Sequence, residues 1–273
     1  MEGRSLSNAV FRRYTDLLYR RTGIHLGTHK RSLLESRLSP YVGREKDFPD
    51  HDALIEALEN RPSPELMGTF LNALTTNYSY CFRDPIHFQT LGWYVRERGP
   101  TSRSLRFWSA ASSSGEEAYS MAITLLEQRD CLPSDTKILA TDISTKVLAQ
   151  AQVGEYRADR VVPFAPAGIV HRWFAPSQEP GSLRVVDEVR TLVTFRQFNL
   201  QSPFPFSRPM DVVFLRNVLI YFDAVSKQDV VGRIEQILRP GGLLILGLSE
   251  SLVGVRHSLR MLNHSIYQRT SVP

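Results

Sequence analysis

The chain of 273 residues is 42% hydrophobic and 22% charged, a globular balance that supports a sizeable core in one large domain or two ordinary ones. Its apolar runs fall far short of the ~20 residues that cross a bilayer, and the N-terminal "MEGRSLSNAVFRRYTDLLYRR" has no apolar stretch of a secretory signal, so neither membrane insertion nor export is expected. The net charge of +5 is concentrated in residues 1–46, which hold ten Lys/Arg against four acids.

Such a cluster suits an acidic partner or is simply a solvated helical surface. Cys81 and Cys131 are the only cysteines. Two thiols with no CxxC and no His/Cys cluster predict neither a disulfide framework nor a metal site, and a reducing, cytoplasmic setting is expected.

The first predicted element is a helix over residues 8–21, with Phe11, Tyr14, Leu17 and Leu18 as its apolar stripe and Thr22-Gly23 at its end. "HKRSLLESRL" predicts a second helix, with Leu33, Leu34 and Leu38 on one side. Lys30 and Arg37, seven apart, share a face of it. "DHDALIEALEN" predicts a third, capped by Asp50, and "PELMGTFLNALTT" a fourth. Together they form an all-helical N-terminal domain over residues 1–76. Residues 77–103 read as a linker with a ligand-contacting segment, in which Pro85 after Asp84 marks a helix start.

From residue 104 strands and helices alternate. "LRFWSAA", "KILATD", "DVVFLRN" and "GGLLILGL" read as strands; "GEEAYSMAITLLEQ", "STKVLAQAQ" and "SKQDVVGRIEQIL" read as helices. The pattern predicts an α/β, Rossmann-like domain over residues 104–273 on a mainly parallel sheet. Residues 157–195, rich in Arg, Pro and aromatics, break the alternation and read as a small antiparallel β insertion that includes both "LRVVDEV" and "RTLVTFRQF".

Four stretches carry chemistry. In "SAASSSGEEAYS" small residues from Ser109 to Gly115 admit close backbone approach, and a helix N-terminus follows. The stretch lacks both GxxxxGK[ST] and GxGxxG, and Glu116 and Glu117 in the first turn would repel a phosphate. Helix capping by Ser114 is the plain structural alternative. Asp142 ends the second strand 27 residues after Gly115, where an acid in doubly wound folds binds ribose hydroxyls. Its alternative role is as N-cap of the next helix, for which Ser144 competes. Adenosine with a sulfonium and no phosphate, as in S-adenosylmethionine, satisfies both features. In "DVVFLRNVLIYFD" a strand ends in Arg216-Asn217, and an Arg in so apolar a run needs a partner unless it turns to solvent. In "TTNYSYCFRDPIHF", Asn77, Ser79 and Arg83 are polar residues among aromatics.

Taken together, these stretches resemble the CheR family, the chemoreceptor glutamate O-methyltransferases. "TTNYSYCFRD" is similar to its Asn-x-Thr-x-Phe-Phe-Arg segment, and "RFWSAASSSGEEAYSMA" to its Trp-Ser-Ala-x-x-Ser-Thr-Gly-Glu-Glu-Pro-Tyr-Ser motif. "ATDIS…VLAQAQVGEY", "FNL" and "DVVFLRNVLIYFD" are similar to its later motifs, in the same order, from about residue 10 to residue 268. Ser79 stands for the usual Thr, Cys81 and Ser112 differ from common types, and Ala118 replaces Pro.

The resemblance implies a small helical domain on a methyltransferase domain that carries a β-subdomain. It implies S-adenosylmethionine as cofactor, S-adenosylhomocysteine as product and no metal. Asn77, Ser79, Arg83, Glu117, Asp142, Asn199, Leu200, Leu215, Arg216 and Asn217 would line the cofactor pocket. Arg83 and Tyr221 would face the methyl group and the substrate carboxylate, with Arg83 or Arg216 holding that carboxylate. Lys30, Arg31 and Arg37 of the second helix would meet the cytoplasmic helices of a methyl-accepting chemoreceptor. The insertion has no clear Gly-Gly pair, so a grip on a receptor C-terminal pentapeptide is not implied. A nucleic-acid substrate is not expected: the Asn/Asp-Pro-Pro-Tyr/Phe motif is missing, and no stacking platform is evident. Methylation of another substrate class, or non-catalytic binding of S-adenosylmethionine as a signal, are the competing readings.

Overall fold

A computed structural model of the chain describes residues 6–270; Glu2 and Arg4 of the basic N-terminal count lie outside the described residues. The chain divides into two compact units. One contains the residues through Thr76 together with Tyr221–Ser226; the other contains Asn77–Ile220 and the chain from Lys227 onward.

The first unit is helical. Helix α1 (Asn8–Thr22) starts at Ser7, whose hydroxyl accepts the Val10 N–H, and ends at Gly23, whose φ of 71° is easy for glycine. It buries Val10, Phe11, Tyr14, Leu17 and Leu18. Helix α2 (Arg31–Leu38) buries Leu34 and Leu38. Leu33, expected beside them, is 37% exposed, because one residue along a helix turns the side chain by about 100°. Helix α3 (His51–Asn60) is capped by Asp50, as its sequence predicts, and α4 (Pro64–Leu74) by Ser63. These faces close one core with Leu54, Ile55, Leu58, Phe70 and Leu74. Segment 221–226 joins this unit: Ile24 bridges Phe222, the His25 N–H donates to the Tyr221 carbonyl at 2.8 Å, and the Tyr19 hydroxyl donates to Asp223 at 2.8 Å.

The second unit opens with α5 (Pro85–Arg98), followed by β1 (Ser104–Ser109), α6 (Glu116–Leu126), β2 (Asp135–Asp142) and α7 (Thr145–Val153). Next come β3 (Glu155–Arg157), α8 (Ile169–Trp173), β4 (Phe174–Pro176), β5 (Ser182–Val185), α9 (Asp187–Arg190) and β6 (Val193–Gln197). The chain closes with β7 (Met210–Leu215), α10 (Ala224–Ile237), whose first three residues are counted with the helical unit, β8 (Leu238–Leu246), β9 (Arg260–Asn263) and β10 (Ile266–Gln268). The main sheet runs β6-β2-β1-β7-β8-β10-β9. Its β6, β2, β1, β7 and β8 pair in parallel, and the β9–β10 hairpin adds an antiparallel edge. Strand β7 is buried along its whole length, which is why it reads as a continuous apolar run.

The insertion is smaller than its sequence suggests. Strands β3, β5 and β4 form a separate antiparallel sheet, but "LVTFRQ" does not belong to it. Val193–Gln197 is the edge strand of the main sheet, parallel to β2. Only alternate residues of that strand are buried, with Phe195 edge-on to Tyr119 at 5.5 Å. A half-buried parallel edge and a small antiparallel strand therefore show the same alternation.

Candidate active site

The candidate residues of the second unit collect at the carboxyl ends of β1, β2, β6 and β7, where open α/β sheets bind ligands. The turn after β1 is held by many backbone contacts. The Ser112 N–H donates to the Thr141 carbonyl at 2.8 Å, the Ser113 N–H to the Asp142 carboxylate at 2.9 Å, and the Ser113 hydroxyl to the Asn77 carbonyl at 3.1 Å. Gly115 starts α6 at φ 96°, and a Cβ there would lie 2.8 Å from both the Ala151 Cβ and the Tyr156 hydroxyl. Ser114 does not cap the helix as its sequence suggests. Its hydroxyl donates instead to the Glu116 carboxylate at 2.8 Å, and its carbonyl accepts from the Tyr156 hydroxyl at 2.7 Å.

Asp142 is 8% exposed. One carboxylate oxygen takes the Ser113 N–H and the other the Ser144 N–H, each at 2.9 Å. The N-cap of α7 is Ser144, not Asp142. Burial pushes the Asp142 carboxyl above its ordinary value, and the backbone N–H groups partly offset that. Beside it the Phe198 N–H donates to the Asp142 carbonyl at 3.0 Å, which brings Asn199 and buried Leu200 next to the end of β2. The Asn199 side chain accepts the Gln201 N–H, and the Leu200 carbonyl accepts from Arg233.

Leu215 is the buried last residue of β7. Arg216, just beyond, is no solvent-facing rim residue. Its guanidinium, 2% exposed, donates to Glu117 at 2.9 Å and to Asp84 at 2.8 Å, and also to the Arg83 carbonyl. The rings of Phe88 and Phe214 lie 5.7 and 5.9 Å from it. Glu117 in turn accepts from the Ser109 hydroxyl at 2.7 Å. Burial raises the Glu117 carboxyl while Arg216 opposes the rise. Two carboxylates and a carbonyl engage the terminal nitrogens of Arg216, and its buried Nε has no partner among the described residues; of the two arginines suggested for a substrate carboxylate, only Arg83 has no ion-pair partner among the described residues. Half-buried Arg83 stacks 5.7 Å from the Tyr80 ring and has no ion-pair partner among the described residues.

Asn217 follows at φ 56°, its N–H given to Glu250 at 2.6 Å. The same Glu250 carboxylate takes the Gly247 N–H at 2.8 Å, so one buried side chain ties together the ends of β7 and β8. Sequence reasoning missed Glu250, although "LLILGLSE" repeats the signal of Asp142, an acid just past an apolar strand. The four non-glycine residues with positive φ among those described are Phe82, Asp84, Ser113 and Asn217. All four flank this crevice, and backbone strain of about 1–3 kcal/mol each is the kind that concentrates at functional sites.

Segment 77–83 is laid against the insertion: the Cys81 N–H donates to the Arg160 carbonyl at 3.1 Å and Arg160 donates to the Ser79 carbonyl at 3.5 Å. Tyr80 and Phe164 pack with ring centres 4.1 Å apart at a tilt of 33°, and Tyr78 sits edge-on 6.1 Å from Tyr80, an aromatic cluster assembled from residues more than eighty positions apart.

The remaining candidates lie in the helical unit. Lys30 is exposed just ahead of α2. Arg31 donates to the Asn8 side chain at 2.7 Å. Arg37 is turned inward, donating to the Leu74 and Thr75 carbonyls at 2.9 Å and to the Thr76 hydroxyl at 3.1 Å. It therefore closes the C-terminus of α4, and the basic residues do not form one free patch. Tyr221 is held through its carbonyl by His25. Among the described residues no His/Cys/Asp/Glu group could hold a metal ion, and no helix is long and apolar enough to cross a membrane. Cys81 and Cys131 are free thiols.

The donor set suits a cationic nucleoside better than a phosphate. Buried carboxylates dominate, the buried arginine is already paired, and the Ser112 hydroxyl in the β1 turn is buried without a partner among the described residues. Residues 77–268 match the family described as "CheR methyltransferase, SAM binding domain" and residues 9–75 match "CheR methyltransferase, all-alpha domain". Chemotaxis protein methyltransferase 2 of Pseudomonas aeruginosa is 38% identical over 94% of this chain and 91% of its own length. The chemotaxis protein methyltransferases of Salmonella typhimurium and Escherichia coli are 36% and 35% identical, each over 96% of this chain and 91% of its own length.

Proposed function

The chain belongs to the CheR methyltransferase family, and from that premise we propose that it methylates glutamate side chains in the cytoplasmic helices of a chemoreceptor. S-adenosylmethionine is the cofactor, and when bound it supplies a methyl group made electrophilic by an adjacent sulfonium. Asp142 would accept from its ribose; Asn77, Ser79, Glu117, Asn199, Leu200, Leu215 and Asn217 would complete the pocket, with Arg216 fixing Glu117 rather than touching ligand.

A glutamate of pKa about 4.3 is already ionised at neutral pH, so methyl transfer to its oxygen needs no general base. The crevice accordingly needs no proton acceptor, only groups that orient. Arg83 supplies a guanidinium free to hold the incoming carboxylate while an oxygen forms the new C–O bond and the sulfur keeps the electrons of the broken C–S bond. Too strong a grip would favour the ground state, which fits one orienting cation better than a clamp. The family resemblance alone suggests Tyr221, whose hydroxyl would act on the reacting groups. The observation that carries the reading is the uncommitted Arg83 beside a paired Arg216. The chemistry belongs on the cytoplasmic side, where such receptor helices lie.

The test is transfer of tritiated methyl from the donor to a receptor cytoplasmic fragment. Counts released as methanol by mild base support glutamate esters; incorporation that resists base, or none at all, overturns the proposal.

A further inference from the structure

We propose that Tyr78, Tyr80 and Phe164, flanked by Arg83 and Arg160, dock the apolar face of a glutamate-bearing amphipathic helix and so select which segments are methylated. The inference rests on the function proposed above and adds to it the residues that choose the substrate. Tyr78 is 66% exposed and Phe164 37% exposed, yet both belong to one cluster: Tyr80 packs at a tilt against Phe164 at 4.1 Å and lies 6.1 Å from Tyr78. The Arg160 guanidinium lies 5.5 Å from the Tyr78 ring and that of Arg83 5.7 Å from the Tyr80 ring. Exposed Tyr and Arg in one patch are the residue types that anchor protein interfaces.

The cluster is built before any partner arrives. The Cys81 N–H to Arg160 carbonyl bond and the Arg160 guanidinium's bond to the Ser79 carbonyl at 3.5 Å pin the segment bearing the tyrosines to the insertion bearing Phe164. Little ordering cost is left for binding. Charge decides between occupants. Glu116 already offsets Arg160, so Arg83 is the one cation of the patch without an ion-pair partner among the described residues. One free cation suits a single carboxylate beside an apolar helix face and is too little to neutralise a run of phosphates.

The experiment compares the wild-type chain with the double variant Tyr78→Ala/Phe164→Ala. The substrates are a receptor cytoplasmic fragment and two synthetic helical peptides of equal charge, one with an apolar stripe beside its glutamates and one with Gln in place of that stripe. The double variant is expected to raise KM for the fragment and the striped peptide about tenfold, with kcat within about twofold and S-adenosylhomocysteine affinity by calorimetry unchanged. Wild-type preference for the striped peptide should vanish in the variant. An unchanged KM overturns the inference and leaves the proposed function standing. Loss of S-adenosylhomocysteine affinity overturns it by assigning these rings to the cofactor pocket. Binding of a single-stranded oligonucleotide that disappears in the variant overturns it in favour of a nucleic acid. Absence of methyl transfer by the wild-type chain to all three substrates overturns both readings.

Discussion

Arg216 and Glu117 meet at 2.9 Å in a pair almost sealed from water, and Asp84 closes the other side of the guanidinium at 2.8 Å. Removing one partner leaves the other charge buried, at a cost of about 3–5 kcal/mol. Arg216→Met and Glu117→Gln are each expected to lower the unfolding free energy by that order in urea titrations. The double variant should lose less than the two single losses added, because Glu117 is no longer a stranded charge, although Asp84 still loses its partner.

Arg83 should behave in the opposite way. Its guanidinium has no ion-pair partner among the described residues, so Arg83→Ala is expected to change stability by less than about 0.5 kcal/mol, as surface changes do. Its loss should lower kcat roughly 100-fold, the scale of removing one positioned electrostatic group. Tyr221→Phe should likewise lower kcat more than cofactor affinity. Steady-state kinetics beside thermal melts check both; an Arg83→Ala protein that melts early but turns over normally would reverse the assignment.

Asp142 gives a pH signature. Burial raises its folded carboxyl above the ordinary 3.8. A raised acid is protonated sooner on acidification, so ribose binding by the carboxylate should weaken at a higher pH than an ordinary aspartate predicts. Stability moves the other way. The folded state holds this proton more tightly than the unfolded chain, so the Asp142 contribution to stability grows as pH falls through the folded value and is lost as pH rises through it. Calorimetric titration with S-adenosylhomocysteine from neutral to mildly acid pH checks the first effect. Asp142→Asn should bind weakly and flatten the profile.

The basic residues of the helical unit divide by their contacts. Arg37→Ala strips donors from three acceptors at the end of α4 and is expected to destabilise the helical unit by about 1–2 kcal/mol. Lys30→Ala and Arg31→Ala should leave melting nearly unchanged and raise KM for a receptor fragment about two- to fivefold, as rim charges do. Equal effects of all three on KM, with no loss of stability at Arg37, would restore the single-patch picture.

The parts legible in the sequence were those with local causes. Asp50 capping α3, the Gly23 stop and the apolar run of β7 are each set by neighbours a few residues away. Asp142 stood out because a carboxylate at the end of an apolar strand has few reasons to exist. The sheet that "LVTFRQ" joins, the partners of Arg216 and the inward turn of Arg37 depend on residues tens of positions away, and no periodicity encodes them. Tyr156 shows the same limit. In the sequence it stands only as the end of the motif "VLAQAQVGEY", yet its hydroxyl fixes the Ser114 carbonyl 42 residues upstream and, with Ala151, leaves room at position 115 only for glycine.

Segment 221–226 carries a practical consequence. It is inserted in the sequence of the sheet-bearing part, yet the Ile24–Phe222 bridge and the Tyr19–Asp223 bond count it with the helices. The family boundary near residue 76 therefore does not mark the whole of the helical unit, which also takes in segment 221–226. A fragment cut there would strand Phe222, 7% exposed in the whole chain, without the residues that cover it. Co-expressing the two pieces as a complemented pair is the way to divide this protein without baring that ring.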